Sequence, residues 1–419
     1  MLSRRSLVKN SGAAMMAAKS LVFAAPAAAA TATGPTALPV RDQFVTPQFE
    51  VCLNNARWHP LSNGARKATE AYLEYKARGV FNQSSLTSPA SLAVRASFAS
   101  LINAHADEIA FVNSTTAGEN QVVAALGLTR PATSGPQPNI VTDAMHFEGS
   151  LYLYGELKKR GVDVRIVKPR GWAIDKEDVE RAVDKNTRLI AVSQVSWING
   201  FTHDAKWLAD LAHAHGAKLF LDAVQAAGCM PIDVRASGVD FIASASYKWL
   251  MGDFGLGFLF ARADVLPTLE RTQWSFRQFR EMQYHALPGD APGPFPATFD
   301  QLQTAAGHFE VGTYANAVLA TLSDSLPWIQ RIGVTNIQAH AHQLNSTLRR
   351  EMPRLGYECI TPEDAGASII SFRVKDDAAT ASRLKKANVD VSLNPGRMRV
   401  SPSVYNNESD IQALLSALA

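Results

Sequence analysis

The sequence predicts an α/β protein. A mostly parallel sheet lies between layers of helices, and a smaller α/β unit follows at the C-terminal end. Two observations carry this. From residue 63 to 262, short apolar runs alternate with stretches of helical period, the pattern of a parallel sheet whose crossovers are helices. From Gly356 onward a shorter set of runs repeats the alternation. With 419 residues, 47% of them apolar and 19% charged, the chain is long enough to bury a large core and stands apart from disordered or fibrous sequences.

The elements follow in order. Residues 90–104 have amphipathic helical spacing, and 109–112 form a short apolar strand. Helices at 117–126, 151–160 and 176–183 then alternate with strands at 139–142, 162–167 and 189–192. A helix over 205–215 is closed by Gly216, a usual C-terminal stop. Strands follow at 218–221, 241–243 and 256–260. Residues 263–310 break the alternation, with prolines at 267, 288, 292, 294 and 296, and read as a long functional loop with short helices. A helical region over 316–350 is interrupted near Pro327. Strands at 368–374, 389–392 and 398–401 and helices at 378–387 and 408–418 complete the smaller unit. The boundaries expected are a large domain over 63–310 and a small one over 311–419. Residues 31–62 serve as a linker and an arm joining the small domain.

Residues 1–30 read as an address. Ser3-Arg4-Arg5-Ser6-Leu7-Val8-Lys9 is a basic start, an apolar stretch over 13–23 follows, and the alanines around Pro26 make a small-residue cleavage zone. The paired arginines resemble the twin-arginine export signal. The apolar run is too short to span a bilayer, which needs about 20 residues. The expectation is a periplasmic protein with no membrane anchor after processing. The formal charge of +3 belongs to this segment. Its loss takes Arg4, Arg5, Lys9 and Lys19 and no acid, leaving 37 basic against 38 acidic residues. Such a balance gives no reason to expect nucleic acid as a partner. Cys52, Cys229 and Cys359 lie far apart, and no CxxC or Cys/His cluster marks a metal site. One bridge with a free thiol and three buried thiols remain equally open.

The chemistry concentrates in two strand ends. Asp222 directly follows the apolar run 218–221, and Lys248, in Ser244-Ala245-Ser246-Tyr247-Lys248-Trp249-Leu250, follows the run 241–243. Carboxyl ends of parallel strands face the ligand crevice, so both charges point into one site. Pyridoxal 5'-phosphate (PLP) catalysis needs this pair. A lysine forms the Schiff base with the aldehyde, and a carboxylate keeps the pyridine nitrogen protonated so that the ring accepts electrons. Asn113-Ser114-Thr115-Thr116-Ala117 stands between a strand and a helix, where small hydroxyl residues make either a phosphate cradle or an ordinary cap.

The strand end Asp222-Ala223-Val224-Gln225 together with Ser246-Tyr247-Lys248-Trp249-Leu250 resembles the signature of the class V aminotransferase family of fold-type I PLP enzymes, over residues 50–419. That family includes cysteine desulfurases, kynureninases and isopenicillin N epimerase-like proteins. The resemblance implies that Lys248 is the Schiff-base lysine, Asp222 the pyridinium partner and Gln225 the donor to the cofactor's phenolic oxygen. Tyr247, with Ser246 or Ser244, would donate to the phosphate, as would Thr115 and Thr116. His146 or Phe147 would stack on the cofactor face. Phe309-Glu310-Val311-Gly312-Thr313 resembles the family's F-E-x-G-T segment, whose threonine reaches the neighbouring subunit's phosphate. Thr313 therefore implies a homodimer. Arg399-Val400-Ser401-Pro402-Ser403-Val404-Tyr405-Asn406 resembles R-x-S-x-x-x-Y-N, whose arginine grips the substrate α-carboxylate. Arg397 competes with Arg399 for that role.

Two departures bear on the reaction. Trp197 stands where desulfurases carry an asparagine, so that contact is lost or supplied by Asn199, and Trp197 shapes the pocket. Residues 375–398 contain no cysteine, although a persulfide mechanism needs a mobile thiolate there. The reading is an exported PLP-dependent aminotransferase-type enzyme acting on the amino group of a small molecule or peptide, with siderophore tailoring as family precedent. The alternatives are a PLP-dependent epimerase or C–S lyase, and a binding protein that has lost catalysis.

Overall fold

The computed structural model describes residues 37–79 and 87–419. The expected export signal lies outside the described residues. The arm contributes β1 (Val51–Cys52). The large sheet is built from β2 (Ile109–Val112), β3 (Asn139–Asp143), β4 (Asp163–Val167), β5 (Thr187–Ser193), β6 (Lys218–Asp222), β7 (Phe241–Ala245) and β8 (Gly257–Ala261). Their spatial order is β2-β8-β7-β6-β5-β3-β4. Only β8 runs antiparallel, to both β2 and β7. The remaining pairs are parallel. The expected mostly parallel sheet is therefore the one formed, with seven strands. β2, β3, β7 and β8 are buried on both faces, which is why they read as continuous apolar runs rather than alternating ones.

Helices cover both faces. Thr115–Ala125 lies so close to β7 that a Cβ at Gly118 would sit 3.3 Å from Ala243. On the other face Phe98 of helix Thr87–Leu101 stacks on Phe258 with ring centroids 4.0 Å apart. Helix Asn316–Ile332 joins the same core through Leu319, Leu322, Leu326 and Ile329.

The predicted interruption near Pro327 does not occur there. Pro327 lies inside Asn316–Ile332, and the chain breaks at Gly333, whose φ of 85° an L side chain rarely adopts. Residues 263–310 are not merely loop. They hold a hairpin of β9 (Phe279–Tyr284) and β10 (Ala297–Gln301), antiparallel and mostly exposed. With no buried face, this hairpin shows no apolar alternation in the sequence.

The C-terminal sheet has the order β11-β14-β13, from β11 (Ile370–Arg373), β13 (Ser392–Asn394) and β14 (Arg397–Val400). The expected single strand at 389–392 is divided. β12 (Val389–Asp390) pairs in parallel with β1, whereas β13 pairs with β14. Asn54 continues the arm's pairing at Ser401. Leu53 of the arm packs in the same apolar cluster as Phe372, Met398, Val400 and Leu414. Among the described residues no helix is long and apolar enough to cross a membrane.

Candidate active site

β2, β3, β5, β6 and β7 point their carboxyl ends the same way, because β2 and β7 each run opposite to β8. Whatever follows those ends is gathered at one edge of the sheet. After β2 come Thr115 and Thr116, after β3 His146 and Phe147, after β5 Gln194 and Trp197, at the end of β6 Asp222, and after β7 Lys248. This is the crevice that open parallel sheets use for ligands.

Lys248 is buried, and its amine forms no hydrogen bond among the described residues. Its Nζ lies 5.5 Å from the centre of the Tyr247 ring. Burial lowers its pKa to about 8, with Asp222 pulling upward and the positive charge of Arg399 adding to the fall. Asp222 is also buried. One carboxylate oxygen accepts the Val224 N–H at 2.9 Å, and no other described group bonds to its side chain. Burial raises its pKa, opposed by the charge of His146.

His146 is held at both ring nitrogens. Nδ1 lies 2.8 Å from the Ser193 hydroxyl and Nε2 lies 3.0 Å from Glu119. Glu119 also accepts from Tyr154 at 2.7 Å and from Ser150. Burial works against a charged His146, but the Glu119 carboxylate outweighs it and raises the pKa, while Glu119 itself is lowered by the same pair. Phe147 turns elsewhere and meets Trp197 edge-on, centroids 6.4 Å apart. The two aromatic candidates therefore divide. His146 belongs to the Asp222 cluster and Phe147 to the Trp197 wall.

Thr115 accepts the Ala245 N–H at 2.9 Å, so its hydroxyl proton stays free to donate. Ser114 caps the helix by accepting from Ala117 at 3.1 Å. The half-buried Thr116 side chain has no hydrogen bond among the described residues. Free donors at a helix N-terminus suit a phosphate. Gln225 donates to the Ala56 carbonyl at 2.9 Å and accepts from Trp249 at 2.9 Å, leaving its second amide N–H. The Tyr247 ring stacks on Phe254, centroids 4.5 Å apart.

Two expected site residues are committed elsewhere. Ser246 faces the carbonyls of Asp253 and Leu256 at 2.8 and 2.7 Å, so its single proton holds the turn rather than a phosphate. Asn199 is fully buried, donates to the carbonyls of Trp172 and Ile360, and accepts the Phe201 N–H. It cannot replace the asparagine whose place Trp197 takes. Thr313 is exposed, on the turn that Gly312 makes with a φ of 75°. The three cysteines are free thiols, and Cys52 and Cys229 are buried.

Arg399 is buried, and its Nη1 donates to the Trp197 carbonyl at 2.9 Å. Its Nε is unpartnered, as is the Nε1 of Trp197. Burial, helped by the charges of Arg397 and Arg57, lowers its pKa to about 10. A buried guanidinium without a carboxylate is a place for an anion.

The chain matches the class-V aminotransferase family over residues 64–414. The chain belongs to that family. A probable cysteine desulfurase of Methanothermobacter thermautotrophicus is 29% identical over 373 residues, 83% of this chain and 88% of that protein. A Bacillus subtilis protein described as the uncharacterized aminotransferase YcbU is 24% identical over 328 residues, 78% and 82% of the two chains. Among solved structures, the apo cysteine desulfurase of Thermococcus onnurineus superposes with a TM-score of 0.79 at 24% identity, over 92% of this chain and 98% of that one. This class-V chain is a PLP-dependent enzyme of fold type I. Its residues fit the cofactor. Asp222 keeps a carboxylate oxygen without a partner, Lys248 an unbonded amine, and Thr115 a free hydroxyl at a helix start.

Sequence reasoning missed Glu119, Ser193, Gln194 and Tyr154. Glu119 was detectable. It lies four residues from Thr115 on the buried helix face that includes Gly118, Val122 and Val123, where an acid requires a partner. Gln194 is buried with an unpartnered Oε1, and its backbone N–H donates to the Asp222 carbonyl at 2.9 Å.

Proposed function

We propose that this chain is an exported PLP-dependent aminotransferase-type enzyme acting on the amino group of a small molecule or peptide. The observation that carries the reading is the buried Lys248 amine, with a pKa of about 8, in one crevice with Asp222 and the unpaired Arg399. PLP, when bound, supplies an electron sink for the substrate's α-carbon. Asp222 would hold the proton on the ring nitrogen. His146, fixed by Ser193 and Glu119, would lie against the ring. Arg399 would orient the substrate carboxylate, and the Lys248 amine would carry the proton to and from the α-carbon.

A second reading, a C–S lyase, draws on the names of the desulfurase relatives. A thiol relay has no acceptor here. Residues 375–398 hold no cysteine, Cys229 is pushed up to about 12 by burial, and Cys359 sits in a bridge to Phe372. The enzyme is mixed with a panel of amino acids and no keto acid. A transaminase yields one equivalent of keto acid per bound cofactor and then stops until an acceptor keto acid is added. Continuous release of ammonia or sulfide without an acceptor would overturn the aminotransferase reading in favour of the lyase.

The active form is a homodimer in which Thr313 reaches the neighbouring site. Thr313 is exposed beside Val311, and Trp274, Phe276, Phe295 and Phe299 are exposed on the nearby segment and hairpin. Covering that much aromatic surface calls for a partner. The paired Arg4 and Arg5 direct export. Arg4→Lys together with Arg5→Lys is expected to move the protein from the periplasmic to the cytoplasmic fraction, and light scattering of the periplasmic protein to give twice the chain mass. An unchanged distribution or a monomer mass would refute the respective part.

A further inference from the structure

The arginines beside the active site go beyond what one carboxylate requires. Arg397 and Arg399 are two residues apart on β14, so their side chains leave the same face of the sheet. Met398 between them points into the apolar core. Both side chains converge on Trp197. Arg399 donates to its carbonyl at 2.9 Å, and the Arg397 guanidinium lies 5.7 Å from the centre of its ring. The arm brings a third cation. Asn55 and Ala56 bond to Ser401 at the end of β14, and Arg57 follows directly.

None of these three arginines has an acidic partner among the described residues. Arg95, Arg262 and Arg235 do, whereas Arg271, Arg277 and Arg349 bond to backbone carbonyls instead. Arg95 pairs with Glu310 at 2.7 Å, Arg262 with Asp240 at 3.0 Å and Arg235 with Glu108. The contrast extends to Arg373. It stands opposite Arg397 in the β11–β14 register and is neutralised by Glu358 at 3.0 Å. Arg397 and Arg399 each keep a buried Nε with no partner, and Trp197 keeps its buried Nε1. Holding two desolvated guanidiniums together without a counter-charge is costly. Burial lowers the pKa of both, and the charge of Arg397 adds to the fall of Arg399. One α-carboxylate neutralises one of them.

We propose that the site takes an amino substrate with two anionic groups, one carboxylate at Arg399 and a second at Arg397, so that the substrate class is an acidic amino acid. The proposal rests on the PLP-dependent reading of the same site. Cα atoms two apart on a strand are about 7 Å from one another, and the long guanidinium side chains span the two ends of one short dicarboxylate. The indole of Trp197 walls the space between them and offers its Nε1–H to the same anion.

The test is a spectroscopic titration of the cofactor-loaded protein with L-glutamate and L-glutamine, which differ in charge and hardly in shape. The change in the bound cofactor's absorbance reports occupancy, independent of turnover. Wild type is expected to half-saturate with glutamate at a concentration lower by about tenfold or more, the size of one charge-assisted hydrogen bond. Arg397→Gln is expected to bring that ratio to within about twofold of unity, and Arg397→Lys to retain part of the preference. Equal affinity for glutamate and glutamine in the wild type, a comparison that needs no variant, would overturn the proposal. So would an unchanged ratio in Arg397→Gln. Arg399→Gln separates the two levels of the argument. It is expected to weaken both ligands together. If both bind it as they bind wild type, the carboxylate role of Arg399 fails. If no amino acid perturbs the wild-type spectrum, the reading of the site as an amino-acid site fails with it.

Discussion

Lys248→Ala removes the visible absorbance of the bound cofactor and lowers turnover by at least about 10²-fold, the usual scale for losing a positioned proton carrier. The loss is larger where the lysine also makes the covalent bond to the cofactor. Wild-type-like turnover would overturn the assignment. The amine gives a second readout through its own titration. Burial takes it from the ordinary 10.5 to about 8, so near neutral pH a fraction of it is already the free base that attacks an aldehyde. Reloading of cofactor into the stripped protein is therefore expected to accelerate as pH rises through about 8. Stability follows the same shift. Between about 8 and 10.5 the unfolded chain binds more protons at this residue than the folded one, so the cofactor-free protein gains stability as pH rises through that window. Lys248→Ala is expected to flatten that gain, measured by denaturant titration at several pH values.

Glu119→Ala is expected to cost about 3–5 kcal/mol of stability, the scale for stranding one partner of a buried ion pair. The substitution leaves His146 Nε2 and the hydroxyls of Ser150 and Tyr154 without their shared acceptor. It also removes the charge that raises the His146 pKa against its burial. Glu119→Gln keeps an acceptor but not the charge, so its His146 resonance is expected to titrate at lower pH than in wild type. The pair has a defined pH window. The raised pKa of His146 contributes fully below 6.5 and is lost as pH rises through its folded value. The lowered pKa of Glu119 contributes fully above 4.5 and is lost as pH falls through its folded value. Both contributions are in place between those limits. A loss under about 1 kcal/mol for Glu119→Ala would refute the pair's structural weight.

His146 links this network to the chemistry. Its Nε2 meets Glu119, and its charged form favours the Asp222 carboxylate. Asp222 is buried, and the charges of His146 and Lys248 oppose the rise that burial gives its pKa. Its ionised form is supported by those two groups and by the Val224 N–H, which is the state needed to hold a proton on a pyridine nitrogen.

The alternation of periods was enough to place most elements, because buried parallel strands must be apolar on both faces and their crossover helices must be amphipathic. Strand Ile109–Val112 and helix Glu408–Leu418 form where the pattern put them. Lys248 and Asp222 were legible too, since a charge that directly follows an apolar strand has one direction in which to point. Pairing partners were not legible. The run at 389–392 reads as one strand, yet it serves two neighbours, and a sequence does not state which edge is free. The hairpin of β9 and β10 buries no face, so no periodicity announced it. Ser246 and Asn199 bear suitable polar groups, but their hydrogen bonds are spent on backbone carbonyls that only the folded chain brings near. The choice between His146 and Phe147 depends on which ring meets Glu119 and which meets Trp197. Residue type and strand-end position were thus determined by the sequence. Partnership was decided by tertiary structure, because whether an arginine is neutralised, as Arg373 is, or left open, as Arg397 is, depends on what a distant segment places beside it.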